Sequence, residues 1–474
     1  MRTGILASPV RVIVCPKTII RAGLRRARAA IWLLQDAWER RHEFGWRGLA
    51  IRAVRRLTGT RARNPDAVVK DLSAYGVPAP GAEFDVIYVI GFWPGTPKRY
   101  RVFNMAEGLG AAGYAVHVMD LDHLDDIRRY RWRATALVLF RAEYDRLVGM
   151  SEVLDYARGA GMRLVYDIDD LVFDPAFADS IDALHRMLPY ERRRNLQAME
   201  RRRELLLACD LVTVSTAPLA KIAKHLGRPA AVIPNSINAE QVRIAAELAA
   251  APPRRRAGVL VGYFSGSATH QRDFAECEAA LLDIMGRHPE IRLRLVGYLV
   301  LGPQWDRYRD RIERIGFLAA ADLLRCIAET DINLAPLELG NPFCEGKSEL
   351  KFFEAALVGV PTVASATEAF RDAVEDGVSG LLVRDIDEWR RALELLIASE
   401  SRRKTMGEAA RAVAQARFSL AAVVPHAVAA LGLRQSPAAA RARIAVAGEA
   451  PAPEPQGETD QPRGREALFG SRIS

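Results

Sequence analysis

The sequence runs to 474 residues, more than one hydrophobic core usually serves, so two domains with appendages are expected. Half of the residues are apolar and 26% are charged, which excludes a largely disordered chain, and no stretch reaches the roughly 18 uninterrupted apolar residues of a membrane-spanning helix. The net charge of +9 is concentrated at one end: residues 1–64 hold fifteen Lys/Arg against Asp36, Glu39 and Glu43, so the rest is slightly acidic and the basicity says nothing about the substrate of the main body.

The opening residues combine a basic start with an apolar patch, but Arg11 and Lys17 interrupt it and no small-residue cleavage site closes it. No export is expected. Five scattered cysteines without a CxxC fit a reducing compartment, hence a cytoplasmic location, and eight histidines without HxxxH or HExxH argue against zinc. From residue 18 to 64 an apolar and Arg-rich helical pattern includes Trp38 and Trp46. Such a helix either lies on an anionic membrane surface, at the inner face of the cell membrane, or packs on its own globular body with a solvated basic face. Nucleic acid is not expected, because no recognition motif accompanies the charge.

A Pro/Ala/Gly linker at 65–83 is followed by regular alternation. DVIYVIGF (85–92), YAVHVMDL (114–121), ALVLFR (136–141), RLVYDID (163–169), LVTVS (211–215) and AVIPNS (231–236) read as buried strands separated by helices. VLVGYFSG (259–266), RLRLVGY (292–298), INLAPL (332–337), PTVAS (361–365) and GLLV (380–383) form a second series. The expected fold is α/β, with two doubly wound Rossmann-like domains facing a cleft. The expected boundaries are a basic helical extension at 1–82, a first domain at 83–238, a second at 239–432 and a disordered, proline-rich tail at 433–474.

Gly108, Gly110 and Gly113 spell GxGxxG, but the motif closes a helix and leads into a strand. Helix termination explains it better than a dinucleotide site. Asp167, Asp169 and Asp170 resemble a metal-binding DxD at the carboxyl end of the fourth strand, with capping as the alternative. After the first strand, Gly95 and Thr96 lead to Arg99 and Arg101, a loop and helix start suited to phosphate or a polyanionic acceptor, or else a plain turn. Gly266, Ser267, His270 and Arg272 repeat that arrangement in the second series. The segment GKSELKFFEAALVGVPTVAS (346–365) predicts a helix over Ser348–Val358. Lys347 and Ser348 at its positive end suit a diphosphate, and Glu354 sits among apolar neighbours that do not call for a carboxylate.

Residues 85–430 resemble glycosyltransferase family 4, retaining enzymes of the GT-B fold, of the surface-polysaccharide type. The resemblance rests on FEAALVGVPTVAS, VIPNSIN (232–238), DLVTVSTAPLAKIAKHLG (210–227) and VEDGVSGLLV (374–383). It implies metal-independent transfer of a sugar from a nucleotide-sugar donor to a cell-surface glycan or lipid-linked precursor, with no cofactor. Glu354 would hold the donor ribose, Arg272 and Lys347 the diphosphate, and Asp169 the acceptor hydroxyl or donor sugar. A final helix within 416–432 would return to the first domain. Where the family often has a Glu eight positions before Glu354, this chain has Gly346, with Glu345 one residue off register, and Asp169 stands where the family often has His. A non-catalytic nucleotide-sugar-binding scaffold and a GT-B epimerase are the alternatives.

Overall fold

Uninterrupted runs of Val, Ile and Leu can be buried only where both faces of a sheet are covered, and such runs build two parallel sheets here. The computed structural model describes residues 72–92, 96–145, 149–251, 258–265 and 271–434. The basic segment 18–64 lies outside the described residues, as does the tail beyond Arg434. The first sheet comprises β1 (Glu83–Ile90), β2 (Val116–Asp120), β3 (Arg133–Phe140), β4 (Arg163–Ile168), β5 (Leu211–Val214) and β6 (Ala230–Val232), in the order β2-β1-β3-β4-β5-β6. The second comprises β7 (Val259–Phe264), β8 (Ile291–Val296), β9 (Ile312–Ile315), β10 (Ile332–Ala335), β11 (Thr362–Ser365) and β12 (Leu381–Val383), in the order β12-β11-β10-β7-β8-β9.

The strand order reverses beside β1 and β3 in the first lobe and beside β7 and β10 in the second. Ligands of open α/β sheets collect at the carboxyl ends of strands at such reversals. β9 has no counterpart in the sequence expectation. It is an edge strand, Ile-Glu-Arg-Ile, whose Glu313 pairs with Arg294 of β8 at 2.8 Å, so it lacks the apolar run of a buried strand.

Helix α1 (Asn104–Ala111) follows a π-helical turn at Arg99–Phe103 and ends with Gly113 at φ +85°, which confirms helix termination for the GxGxxG spelling. A Cβ on Gly108 would fall 2.6 Å from Val424 Cγ2, so this glycine is required by the close approach of another helix. That helix, α6 (Leu420–Leu431), follows α5 (Glu400–Phe418). Its Val423, Val424, Ala427 and Leu431 share one core with Val86, Tyr88 and Ile90 of β1. The chain thus returns to the first lobe after building the second. The crossing is pinned where Ile237 N–H donates to Phe418 C=O at 2.7 Å. Helices α2 (Ala239–Ala250), α3 (Gln271–Arg287) and α4 (Leu350–Leu357) complete the elements used below. Among the described residues no helix is long and apolar enough to cross a membrane, and Cys209, Cys277, Cys326 and Cys344 are unpaired.

Candidate active site between the two lobes

Loops at the carboxyl ends of the two sheets meet each other. Thr216, beyond β5, donates to the Gly346 carbonyl at 2.9 Å, and Asn235, beyond β6, donates to Ser348 Oγ at 3.0 Å. Asn341 donates to the Ser180 carbonyl at 3.0 Å, and Arg272 reaches Asp182 at 3.2 Å. Gly346, Ser348 and Arg272, among the residues singled out from the sequence, therefore lie along this junction, but several of the others are engaged differently from expectation.

Arg101 requires a correction: it is no loop cation open to phosphate. Only 1% of it is exposed. It grips Asp167 through Nε at 3.0 Å and Nη2 at 2.6 Å, and it also donates to the Ile233 carbonyl. Thr213 Oγ1 donates to Asp167 at 2.7 Å, so this carboxylate is saturated within the fold. Arg99 pairs with Glu240 of α2 at 2.7 Å, and Thr96 is exposed, its carbonyl accepting from Arg99 N–H. Gly95, Gly266, Ser267 and His270 lie outside the described residues.

Asp169 and Asp170 both accept from Arg141, at 2.6 and 2.7 Å. Burial and the neighbouring Asp170 push the Asp169 carboxyl above its ordinary range, against the pull of Arg141. Arg141 itself has φ +44°, a conformation that costs a side-chain-bearing residue roughly 1–3 kcal/mol, and it does so at the end of β3 beside the strand-order reversal. Among the described residues no group of three or more His, Cys, Asp or Glu is arranged to hold a metal ion.

The second lobe supplies Lys347, Ser348 and Glu354. Lys347 Nζ is 2.8 Å from Asp273 Oδ2 of α3 and 5.0 Å from the Phe343 ring centroid. Burial alone would lower this ammonium, but Asp273, with Cys344 and Asp170 nearby, holds it above its ordinary value. Helix α4 begins at Leu350, two residues later than expected, with Glu349 as its N-cap. Ser348 thus lies in the preceding loop. Glu354 is neither solvent-facing nor free: it is buried and accepts from the Tyr100 hydroxyl of the first lobe. Burial raises its carboxyl above the usual range.

Gly346 has a steric reason. A Cβ there would lie 2.9 Å from Leu219 Cδ2, the end of a side chain of the first lobe, which would have to shift to admit a larger residue. Glu345 accepts from Gly340 N–H and from Glu368 N–H, both at 3.2 Å, and holds loops of its own lobe. The sequence reading passed over Lys351. Its spacing of four residues from Lys347 is the signal that could have drawn attention to it.

Residues 272–428 match the family model described as glycosyl transferase-like. A 154-residue stretch is 34% identical to a D-inositol 3-phosphate glycosyltransferase of Corynebacterium aurimucosum, a match that covers 30% of this chain and 36% of that relative. A glycosyltransferase from Rickettsia africae superposes with a TM-score of 0.52 at 11% identity, over 75% of this chain and 100% of that one. The catalytic domain of starch synthase IV from Arabidopsis thaliana, bound to ADP and acarbose, gives 0.51 at 10% identity, over 74% of this chain and 99% of that one. At such identities the likeness is one of fold. The fold is GT-B: two parallel six-stranded sheets with helices around them.

Proposed function

We propose that the protein transfers a glycosyl group from a nucleotide-diphosphate sugar to a cell-surface glycan or its lipid-linked precursor, with retention of the anomeric configuration and without a metal ion. The observation that carries this reading is the set Lys347, Ser348 and Glu354 at the start of α4, where the second sheet faces the first, within the stretch that matches a glycosyl transferase-like family. Lys347 and the adjoining backbone amides would stabilise the departing diphosphate, which is electrostatic preorganisation. Glu354 would exchange its Tyr100 partner for the donor ribose. Asp169, held by Arg141, would orient the acceptor hydroxyl or the donor sugar.

The test is a panel of UDP-, GDP- and ADP-sugars incubated with membrane-lipid and glycan acceptors in excess EDTA, with nucleotide release and product anomer followed by NMR. Retained configuration and full activity under chelation are expected. Activity lost on chelation and restored by manganese would overturn metal independence. The absence of a carboxylate at Gly346 favours a second reading, a non-catalytic nucleotide-sugar-binding scaffold, which predicts donor binding without turnover. A peripheral position at the inner membrane face, through residues 18–64, is part of the proposal. It predicts salt-sensitive sedimentation with anionic liposomes that is lost when residues 1–76 are removed.

A further inference from the structure

Lys351 lies in the first turn of α4, four residues after Lys347 and three before Glu354. Its Nζ sits 5.9 Å from the ring centroid of Tyr263, a fully buried residue of β7 beside the strand-order reversal of the second sheet. Its carbonyl accepts from Asn333 Nδ2 at 2.9 Å, but its ammonium makes no hydrogen bond and no ion pair among the described residues. Among the described residues the charged and titratable groups that face it are Lys347, Asp273, Glu354 and Cys344, with the Tyr263 ring beneath. Neither carboxylate is available to it: Asp273 accepts from Lys347 at 2.8 Å and from the Cys344 thiol at 3.2 Å, while Glu354 accepts from Tyr100.

An ammonium withdrawn from water without a counter-ion is costly to keep charged. Burial, with Lys347 close by, lowers Lys351 to about 8. A structural lysine avoids that cost by reaching the surface or by pairing, as Lys347 does. Lys351 is only half-buried but has no such partner among the described residues, at the place where an open α/β sheet receives anionic ligands. Arg272, by contrast, is half exposed and turned to Asp182.

We propose that Lys351 is the second cation of the donor-phosphate site, closing together with Lys347 on the diphosphate in the role the family resemblance implied for Arg272. This rests on the reading of the protein as a nucleotide-sugar enzyme. A diphosphate arriving beside Lys351 supplies the missing counter-ion and restores its affinity for a proton. Binding near pH 8 therefore draws a fraction of a proton from solvent, because the free side chain is only partly protonated there.

The experiment is calorimetric titration of the full chain with UDP, GDP and ADP at pH 8, in two buffers of different ionisation heat. It is repeated on Lys351→Met and Lys351→Arg, with the thermal midpoint of each variant recorded. At least one nucleotide is expected to bind the native protein with that proton uptake. Lys351→Met should bind about ten- to a hundredfold more weakly without the uptake. Lys351→Arg, permanently charged, should recover most of the affinity and still show no uptake. Native affinity and native uptake in the Met variant would overturn the role of Lys351 while leaving the donor reading intact. Absence of binding of all three nucleotides to the native protein would overturn both. If the Met variant does not fold, the Arg variant decides, since uptake equal to the native value there refutes the assignment.

Discussion

The carboxyl ends of β3 and β4 in the first lobe and the start of α4 in the second both carry several inward-turned charges, and they differ in how those charges are matched. In the first lobe Asp167 is held by Arg101 and Thr213, and Asp169 and Asp170 share Arg141. In the second, Lys347 has Asp273, whereas Lys351 has no counter-ion and Glu349 makes no ion pair among the described residues. A saturated cluster holds a fold in one arrangement. A cluster with a charge left over is the one the proposed diphosphate would complete, and this distinguishes the two regions where composition does not.

The comparison breaks most visibly if the first-lobe cluster is cut. Arg101→Met strands a buried Asp167 and should cost roughly 3–5 kcal/mol, read as a fall in the urea midpoint. Adding Asp167→Leu should recover much of that loss, whereas two dispensable surface charges would give no such recovery.

Glu354 tests the other region. Gln keeps the acceptor for Tyr100 and should barely alter stability, but it removes the charge offered to ribose hydroxyls. Donor affinity or turnover should fall by about ten- to a hundredfold, roughly 1.5–3 kcal/mol. A 2′-deoxyribose donor should bind the native protein weakly and be penalised much less by the mutation. Equal discrimination by native and mutant proteins would remove Glu354 from the ribose.

Glu349 sharpens the contrast through pH. Burial pushes its carboxyl up to about 7, so the folded protein keeps a proton that the unfolded chain releases at lower pH. Stability therefore declines as pH rises from the ordinary carboxyl range to about 7. Glu349→Gln should be about 3 kcal/mol more stable than native protein at pH 8 and indistinguishable from it near pH 4, by denaturant titration. The smallest effect belongs to Arg272→Gln. Its exposed pair with Asp182 should contribute within about 0.5 kcal/mol of stability, and nucleotide affinity should change by less than about threefold.

The strands of both sheets were legible because burial on two faces leaves an apolar run that nothing else requires. β9 was not, because an edge strand with a salt-bridged Glu313 carries no such run. The position of Glu354 on an inward-packed helix could be read from its neighbours, but its Tyr100 partner comes from the other lobe and leaves no local trace. Arg101 was misread for the same reason: a cation after a loop looks available until a carboxylate from another strand is found to claim it. Lys351 was hidden by the apolar residues around it, which made α4 look like a core helix. Only its lack of a partner in three dimensions sets it apart.

The return of α6 to the first lobe has a consequence for how the molecule is made. Val86, Tyr88 and Ile90 emerge early from the ribosome, yet one face of their sheet is covered by Val423, Val424, Ala427 and Leu431, which emerge after the whole second lobe. Vectorial synthesis thus leaves an apolar face of β1 and β3 exposed while the later sheet assembles, a window in which a nascent chain is open to aggregation and to chaperones. The lobe encoded first is the lobe completed last, and a ribosome stalled before Leu420 would carry a first sheet that cannot close its own core.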